Sequence, residues 1–122
     1  MSTLKVNTIQ NTSGGSSSTA EQINKGRAKA WINFNGTGTP SIVGSFNISS
    51  ISDQGTGHYR ISYSTAMAND NYCACMMPRG NSVTAGVYEQ ADLATTYLDY
   101  QSRNGSGQMT DRTINGFAVF GD

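Results

Sequence analysis

Two cysteines one residue apart, Cys73 and Cys75, and a single histidine, His58, are the side chains here most ready for metal, redox or proton chemistry. On a regular strand, positions i and i+2 share a face with Cα atoms about 6.5–7 Å apart, at the upper edge of disulfide geometry. An intrastrand bond is therefore not expected. Two thiolates could open a zinc site, but closing it takes two more ligands, and no second histidine exists. The expectation is two small hydrophobes in a core, with an interchain disulfide in an oxidising medium as the alternative. His58, beside Tyr59 and Arg60, has no serine or cysteine nucleophile near it in sequence. It is expected at a solvated strand end, or stacked at a subunit axis where acidification would drive copies apart.

The densest acidic cluster is Glu89, Asp92 and Asp99, with Tyr88, Tyr97 and Tyr100 among them. Glycoside hydrolysis needs two carboxyl groups flanking a cleft, and no motif of adequate spacing accompanies these, so catalysis is not expected and no catalytic or metal-binding residue is assigned. Tyr97, Asp99, Tyr100 and Arg103, leading into the Gly-rich stretch Asn104-Gly105-Ser106-Gly107, suit non-catalytic contact with a sugar or protein. The alternative is an ordinary strand with tyrosine inside and polar residues outside.

The elements that must position these residues are strands. Residues 28–35 alternate, with Ala30, Ile32 and Phe34 on one face and Lys29, Trp31 and Asn33 on the other. Residues 41–49 place Ile42, Gly44, Phe46 and Ile48 together, and residues 58–64 place Tyr59, Ile61 and Tyr63 together. Asn35-Gly36 predicts a tight turn through positive φ, and residues 51–57 a hairpin loop. Further strands are expected at 71–77, 82–89, 95–102 and 112–120, separated by turns that include Arg79-Gly80-Asn81. Pro40 and Pro78 stand at strand margins, where a missing backbone donor is tolerated. The one helical stretch, residues 20–27, meets Gly26 within two turns. About seven short strands without a crossover helix predict an all-β antiparallel sandwich or jelly roll. Its core is expected to contain Ile32, Phe34, Phe46, Ile61, Phe117 and Val119.

Leu, Ile, Val and Phe account for 20 of the 122 residues, about 16%, below the roughly 20% at which disorder becomes a concern. Disorder is the wrong inference, because formal net charge is zero and six Tyr, four Phe and one Trp supply packing area. A thin β-structure completed by neighbouring subunits fits better. Neutral charge and a pI near 6.5 supply no general attraction to nucleic acid or anionic membrane. No apolar run approaches the ~20 residues of a membrane-spanning helix, and the start lacks the basic and apolar regions of a secretion signal. Synthesis in a cytoplasm is expected, and no cofactor is called for.

Residues 2–11 read as one short strand running into the Gly/Ser-rich segment 12–18. An isolated strand leaves its backbone groups unpaired, which predicts pairing with other chains. The expected division is an attachment arm and linker over residues 1–19, with Leu4, Val6 and Ile9 as docking residues, and a β-sandwich knob over residues 20–122.

Three segments carry a resemblance: residues 2–17; Ala30-Trp31-Ile32-Asn33-Phe34-Asn35-Gly36-Thr37-Gly38; and residues 46–67, with Ile51-Ser52-Asp53-Gln54-Gly55-Thr56-Gly57 and Tyr63-Ser64-Thr65-Ala66-Met67. Together they resemble the small fibre and tail-fibre proteins of bacteriophages, especially of marine and cyanobacterial phages. The resemblance implies a virion structural protein made in the host cytoplasm. It also implies a homotrimer, an arm joined to another virion protein, and a β-domain displayed at the tail or capsid surface. Host surface glycan is the further partner it allows, through Tyr97, Asp99, Tyr100 and Arg103. Phage depolymerases in turn build their clefts on long parallel β-helices, a length and repeat this chain lacks.

Overall fold

The computed structural model describes residues 1–77, 83–87 and 93–121, the segment 83–87 by its backbone alone. Pro78, the turn Arg79-Gly80-Asn81, Tyr88, Glu89 and Asp92 lie outside the described residues.

The expected all-β sandwich is observed. A small hairpin pairs β1 (Thr8–Ile9) with β2 (Ser18–Thr19), and α1 (Ala20–Gly26) follows it. Two four-stranded sheets make the sandwich. The first holds β3 (Ala30–Asn35), β4 (Ser41–Phe46), β7 (Cys73–Met76) and β10 (Asn115–Phe120), in the order β4-β3-β10-β7. The second holds β5 (Ile48–Gly55), β6 (His58–Tyr63), β8 (Val83–Val87) and β9 (Tyr97–Asn104), in the order β5-β6-β9-β8. Every strand pair is antiparallel.

Alternation decides which side of each sheet is inside. Ala30, Ile32 and Phe34 of β3 and Phe117 and Val119 of β10 face Tyr59 and Ile61 of β6 and Leu98 and Tyr100 of β9, all buried. Aromatic rings join the two sheets. Phe34 meets Tyr59 and Tyr100 edge-on at 5.2 and 5.3 Å between centroids, and Tyr100 stacks on Phe117 at 6.4 Å. Each such pair contributes about 0.5–1.5 kcal/mol beyond its area burial.

The sequence reading runs residues 41–49 as one strand and makes 51–57 a loop. The structure breaks that strand at Asn47 and extends the next to Gly55. Asn47 takes a left-handed φ of 56°, which asparagine tolerates better than most residues. Its amide fixes the break: Nδ2 donates to the carbonyls of Lys29 (3.1 Å) and Thr65 (3.0 Å), and Oδ1 accepts from the Thr65 amide (2.7 Å). One residue thus carries the chain from the first sheet to the second. Phe46, expected in the core, is left 53% exposed on the first sheet's edge strand. The turn joining β5 to β6 shrinks to Thr56-Gly57.

Two glycines are dictated by close approach. A Cβ on Gly36 would collide with the Tyr59 hydroxyl and lie 2.7 Å from its Cζ, so Gly36 serves contact rather than the positive φ expected of Asn35-Gly36. At Gly57, φ is +66° and a Cβ would meet the Ser102 carbonyl at 2.6 Å. Asp111 ties both turns to the core: its Oδ1 accepts from the Gly57 amide and from the Tyr59 hydroxyl, each at 2.7 Å.

Candidate interaction surfaces

Residues 1–27 are exposed throughout except Ser18, and α1 buries none of its side chains. The helix depends on local chemistry. Thr19 accepts from the Gln22 amide (3.1 Å), and Gln22 Oε1 accepts in return from the Thr19 amide (2.8 Å), a reciprocal capping box. Of residues 2–11 only Thr8 and Ile9 are in a strand, and their partner is the chain's own Ser18–Thr19. The strand expected over residues 2–11 is therefore a two-residue hairpin rung, because the positive φ of Gly14 (80°) and Ser16 (49°) turns the linker back on itself. Leu4 (84% exposed), Val6 and Ile9, expected to dock, all stand in solvent.

The outward side of the second sheet is polar and internally paired. Register sets Arg60 directly opposite Asp99, and Ser62 opposite Tyr97. Arg60 grips Asp99 with two bonds, Nε to Oδ1 and Nη2 to Oδ2, both 2.7 Å, while its Cζ lies 4.0 Å from the Tyr97 ring centroid. His58 Nε2 approaches Asp99 Oδ2 at 3.9 Å. Charge-assisted forked bonding of this kind is strong and directional. It holds Asp99 at 3% exposure on a face where the alternation pattern predicts solvent.

Of the four candidate contact residues, the structure thus removes Asp99 and Tyr100 from the surface. Asp99 sits beneath Arg60, and Tyr100 points into the core, its hydroxyl 3.5 Å from Asn115 Oδ1. Tyr97 and Arg103 stay half-buried. One face of Tyr97 is taken by Arg60, and Arg103 is held by Gln101 Oε1 (3.1 Å) and the Gly107 carbonyl (2.8 Å). His58 lies inside this network rather than at a solvated end.

The outward side of the first sheet is different in kind. Trp31 (42% exposed) lies beside Phe46 in register, and its indole covers Gly44, where a Cβ would touch Cζ3 at 3.5 Å. Met77 (68% exposed), Ile114 and Val43 are also exposed. Trp31, Met77, Ile114, Gly116 and Ala118 help line an open groove of about 560 Å³. Cys73 and Cys75 belong to this side too, opposite Phe120 and Ala118 of β10. Both thiols are exposed and unbridged, which overturns the expectation of buried hydrophobes. The reason is parity: Ala74 and Met76 take the inward positions of β7, so the odd-numbered residues point out.

Sequence reasoning placed Trp31 on the face opposite Ala30, Ile32 and Phe34 but missed the rest of this apolar face, because it assigned Phe46, Cys73 and Cys75 to the core. The available signal was Trp31, standing outward between Ala30 and Ile32. Among the described residues no group of three or more His, Cys, Asp or Glu could hold a metal ion, and no helix is long and apolar enough to cross a membrane. Comparison with protein-family models, with curated proteins and with solved structures finds no match.

Proposed function

We propose that this chain is a bacteriophage virion structural protein, a trimeric fibre or tail appendage. It docks through residues 1–19 onto another virion protein and displays the β-sandwich at the tail or capsid surface. The observation that carries this reading is the arm: Leu4, Val6 and Ile9 stand in solvent on a segment that packs nothing into the sandwich core. Apolar side chains spaced along an extended peptide are what a receiving groove or sheet edge takes up. The resemblance of residues 2–17, 30–38 and 46–67 to phage fibre proteins supplies the class.

The mechanism is mechanical and multivalent. A buried arm supplies attachment, and several displayed sandwiches per particle multiply a weak contact. No catalytic step is assigned: Asp99 is engaged by Arg60, and Glu89 and Asp92 lie outside the described residues. Recognition of host glycan through the second sheet keeps only Tyr97 and Arg103 of its four residues, so it is not the reading adopted.

The test replaces Leu4, Val6 and Ile9 together by serine, leaving Thr19 and its cap intact. Particles are then purified and the chain counted by quantitative mass spectrometry. At least a tenfold fall in copies per particle, with an unchanged circular dichroism spectrum of the isolated chain, is expected. Normal copy number would overturn the docking role, and absence of the wild-type chain from particles would overturn the virion reading.

A further inference from the structure

We propose that Cys73 and Cys75 form a binding site for one soft monovalent metal ion, Cu(I) or its redox-inert analogue Ag(I), bridged between two thiolates on the outward face of β7. The site does not depend on the proposed function. It follows from how the first sheet presents its sulfur atoms.

Position makes the pair available. β7 ends the order β4-β3-β10-β7, and both thiols are exposed and unbridged. Pairing of Cys73 with Phe120 and of Cys75 with Ala118 keeps the two side chains on one face, two residues apart.

Distance then separates a bond from a bridge. Cα atoms of residues i and i+2 on a strand lie about 6.5–7 Å apart, whereas a disulfide requires sulfurs about 2.05 Å apart and Cβ atoms within about 4.5 Å. The strand would have to buckle to form one. Pairing with β10 opposes that over the whole of β7 and beyond it, where the Met77 amide donates to the Gly116 carbonyl at 2.8 Å. A metal ion asks less. With metal–sulfur bonds of about 2.3 Å, two thiolates leaning toward each other can stand up to about 4.6 Å apart on either side of a linearly coordinated ion.

Donor chemistry selects the ion. β3, β4, β7 and β10 contain no His, Asp, Glu, Lys or Arg. A zinc ion would find two of its four ligands on this sheet, and a calcium or magnesium ion would find no carboxylate. His58 belongs to the other sheet, near Asp99. Sulfur is what this face does offer, since Met77, 68% exposed, continues the row at i+4. Thiolate and thioether donors select Cu(I). Each thiol gives its proton to water as its bond to the ion forms, and the ion keeps its oxidation state.

Met77 gives the row a direction. Its thioether reaches an ion on Cys75, one strand repeat away, while the Cα of Cys73 stands about 13 Å from its own. Loss of Cys73 therefore leaves Cys75 and Met77 as a weaker pair, and loss of Cys75 leaves no two sulfurs within reach of one ion.

The test titrates the reduced full chain under nitrogen with Cu(I) held by bicinchoninate, and repeats the titration with Ag(I). One ion per chain is expected, bound about a hundredfold more tightly than by the monothiol N-acetylcysteine, the gain of two linked ligands over one. Iodoacetamide followed by mass spectrometry should find both thiols protected by that single ion. Cys75→Ser should lose the whole gain, Cys73→Ser part of it and Met77→Leu none, each with an unchanged circular dichroism spectrum. Two ions per chain at equal affinity, or one ion protecting a single thiol, would mean separate thiols and overturn the proposal. So would a doubled mass on adding half an equivalent, because the ion then lies between chains, and so would zinc uptake as tight as that of Cu(I).

Discussion

The two outward faces of the sandwich obey the same alternation and reach opposite ends. On β6 and β9 the residues pointing away from the core are His58, Arg60, Tyr97, Asp99, Gln101 and Arg103, which bond largely among themselves. On β3, β4 and β7 they include Trp31, Phe46, Cys73 and Cys75, which find no comparable closure among the described residues. A period of two tells which half of a strand enters the core. It does not tell what covers the other half, and here one face is closed by its own side chains while the other leaves Trp31 and Phe46 exposed.

The largest expected effect strikes what both sheets share. Burial pushes the Tyr100 hydroxyl up to about 12. Tyr59, Tyr63 and Tyr72 are raised as well, each chiefly by burial, and Tyr59 further by its bond to Asp111. An unfolded tyrosine ionises near pH 10, so between that and the folded value the folded chain holds protons that the unfolded chain has lost. Stability contributed by these groups is complete below pH 10 and falls as pH rises through about 12. Tyr100 alone accounts for on the order of 3 kcal/mol of that loss. Chemical denaturation followed from pH 8 to 12 should show stability falling only above pH 10, with phenolate absorbance appearing together with unfolding. Early, independent ionisation of all six tyrosines would show the shared core to be open to water.

A smaller effect separates the faces. Arg60→Leu leaves the Asp99 carboxylate buried without its forked partner, and removing one member of a buried pair costs about 3–5 kcal/mol. The Arg60 side chain is 41% exposed, so solvent screening brings the expectation to about 2–3 kcal/mol. Urea denaturation measures it, and Arg60→Leu combined with Asp99→Leu should recover at least half. A loss below 0.5 kcal/mol, the range of ordinary surface changes, would mean the network does not finish that face.

How much of this was legible follows from how local each signal is. The inward sets of β3 and β6 are plain in the sequence because Ala30, Ile32 and Phe34, and Tyr59, Ile61 and Tyr63, alternate without interruption. The break at Asn47 was not, since one left-handed residue inside an apolar alternation leaves the pattern of Phe46 and Ile48 intact while sending them to different sheets. The burial of Asp99 was equally hidden: its partner Arg60 lies 39 residues away, and only the β6–β9 register brings them together. Cys73 and Cys75 were misplaced by composition, because cysteine is usually buried, whereas parity with Ala74 and Met76 set their side. Leu4, Val6 and Ile9 were read as docking residues from their place on an isolated strand, and the single chain leaves all three in solvent.

The smallest effect sharpens the comparison most. Trp31→Ser removes the centre of the apolar face but touches the core only through its own strand, so in dilute solution the loss should be about 1 kcal/mol, an ordinary value for a half-exposed site. If the trimer proposed above closes through that face, wild type gains stability with concentration by mass action, because the assembled form binds only folded chain. The serine variant does not. The gap between the two then widens with protein concentration, while the gap between wild type and an Arg60→Leu chain, which keeps the apolar face, stays constant. Thermal denaturation at three concentrations spanning a hundredfold reads both at once. A Trp31→Ser gap that stays constant would make the two faces alike after all, each a matter of the single chain, and the apolar one merely uncovered.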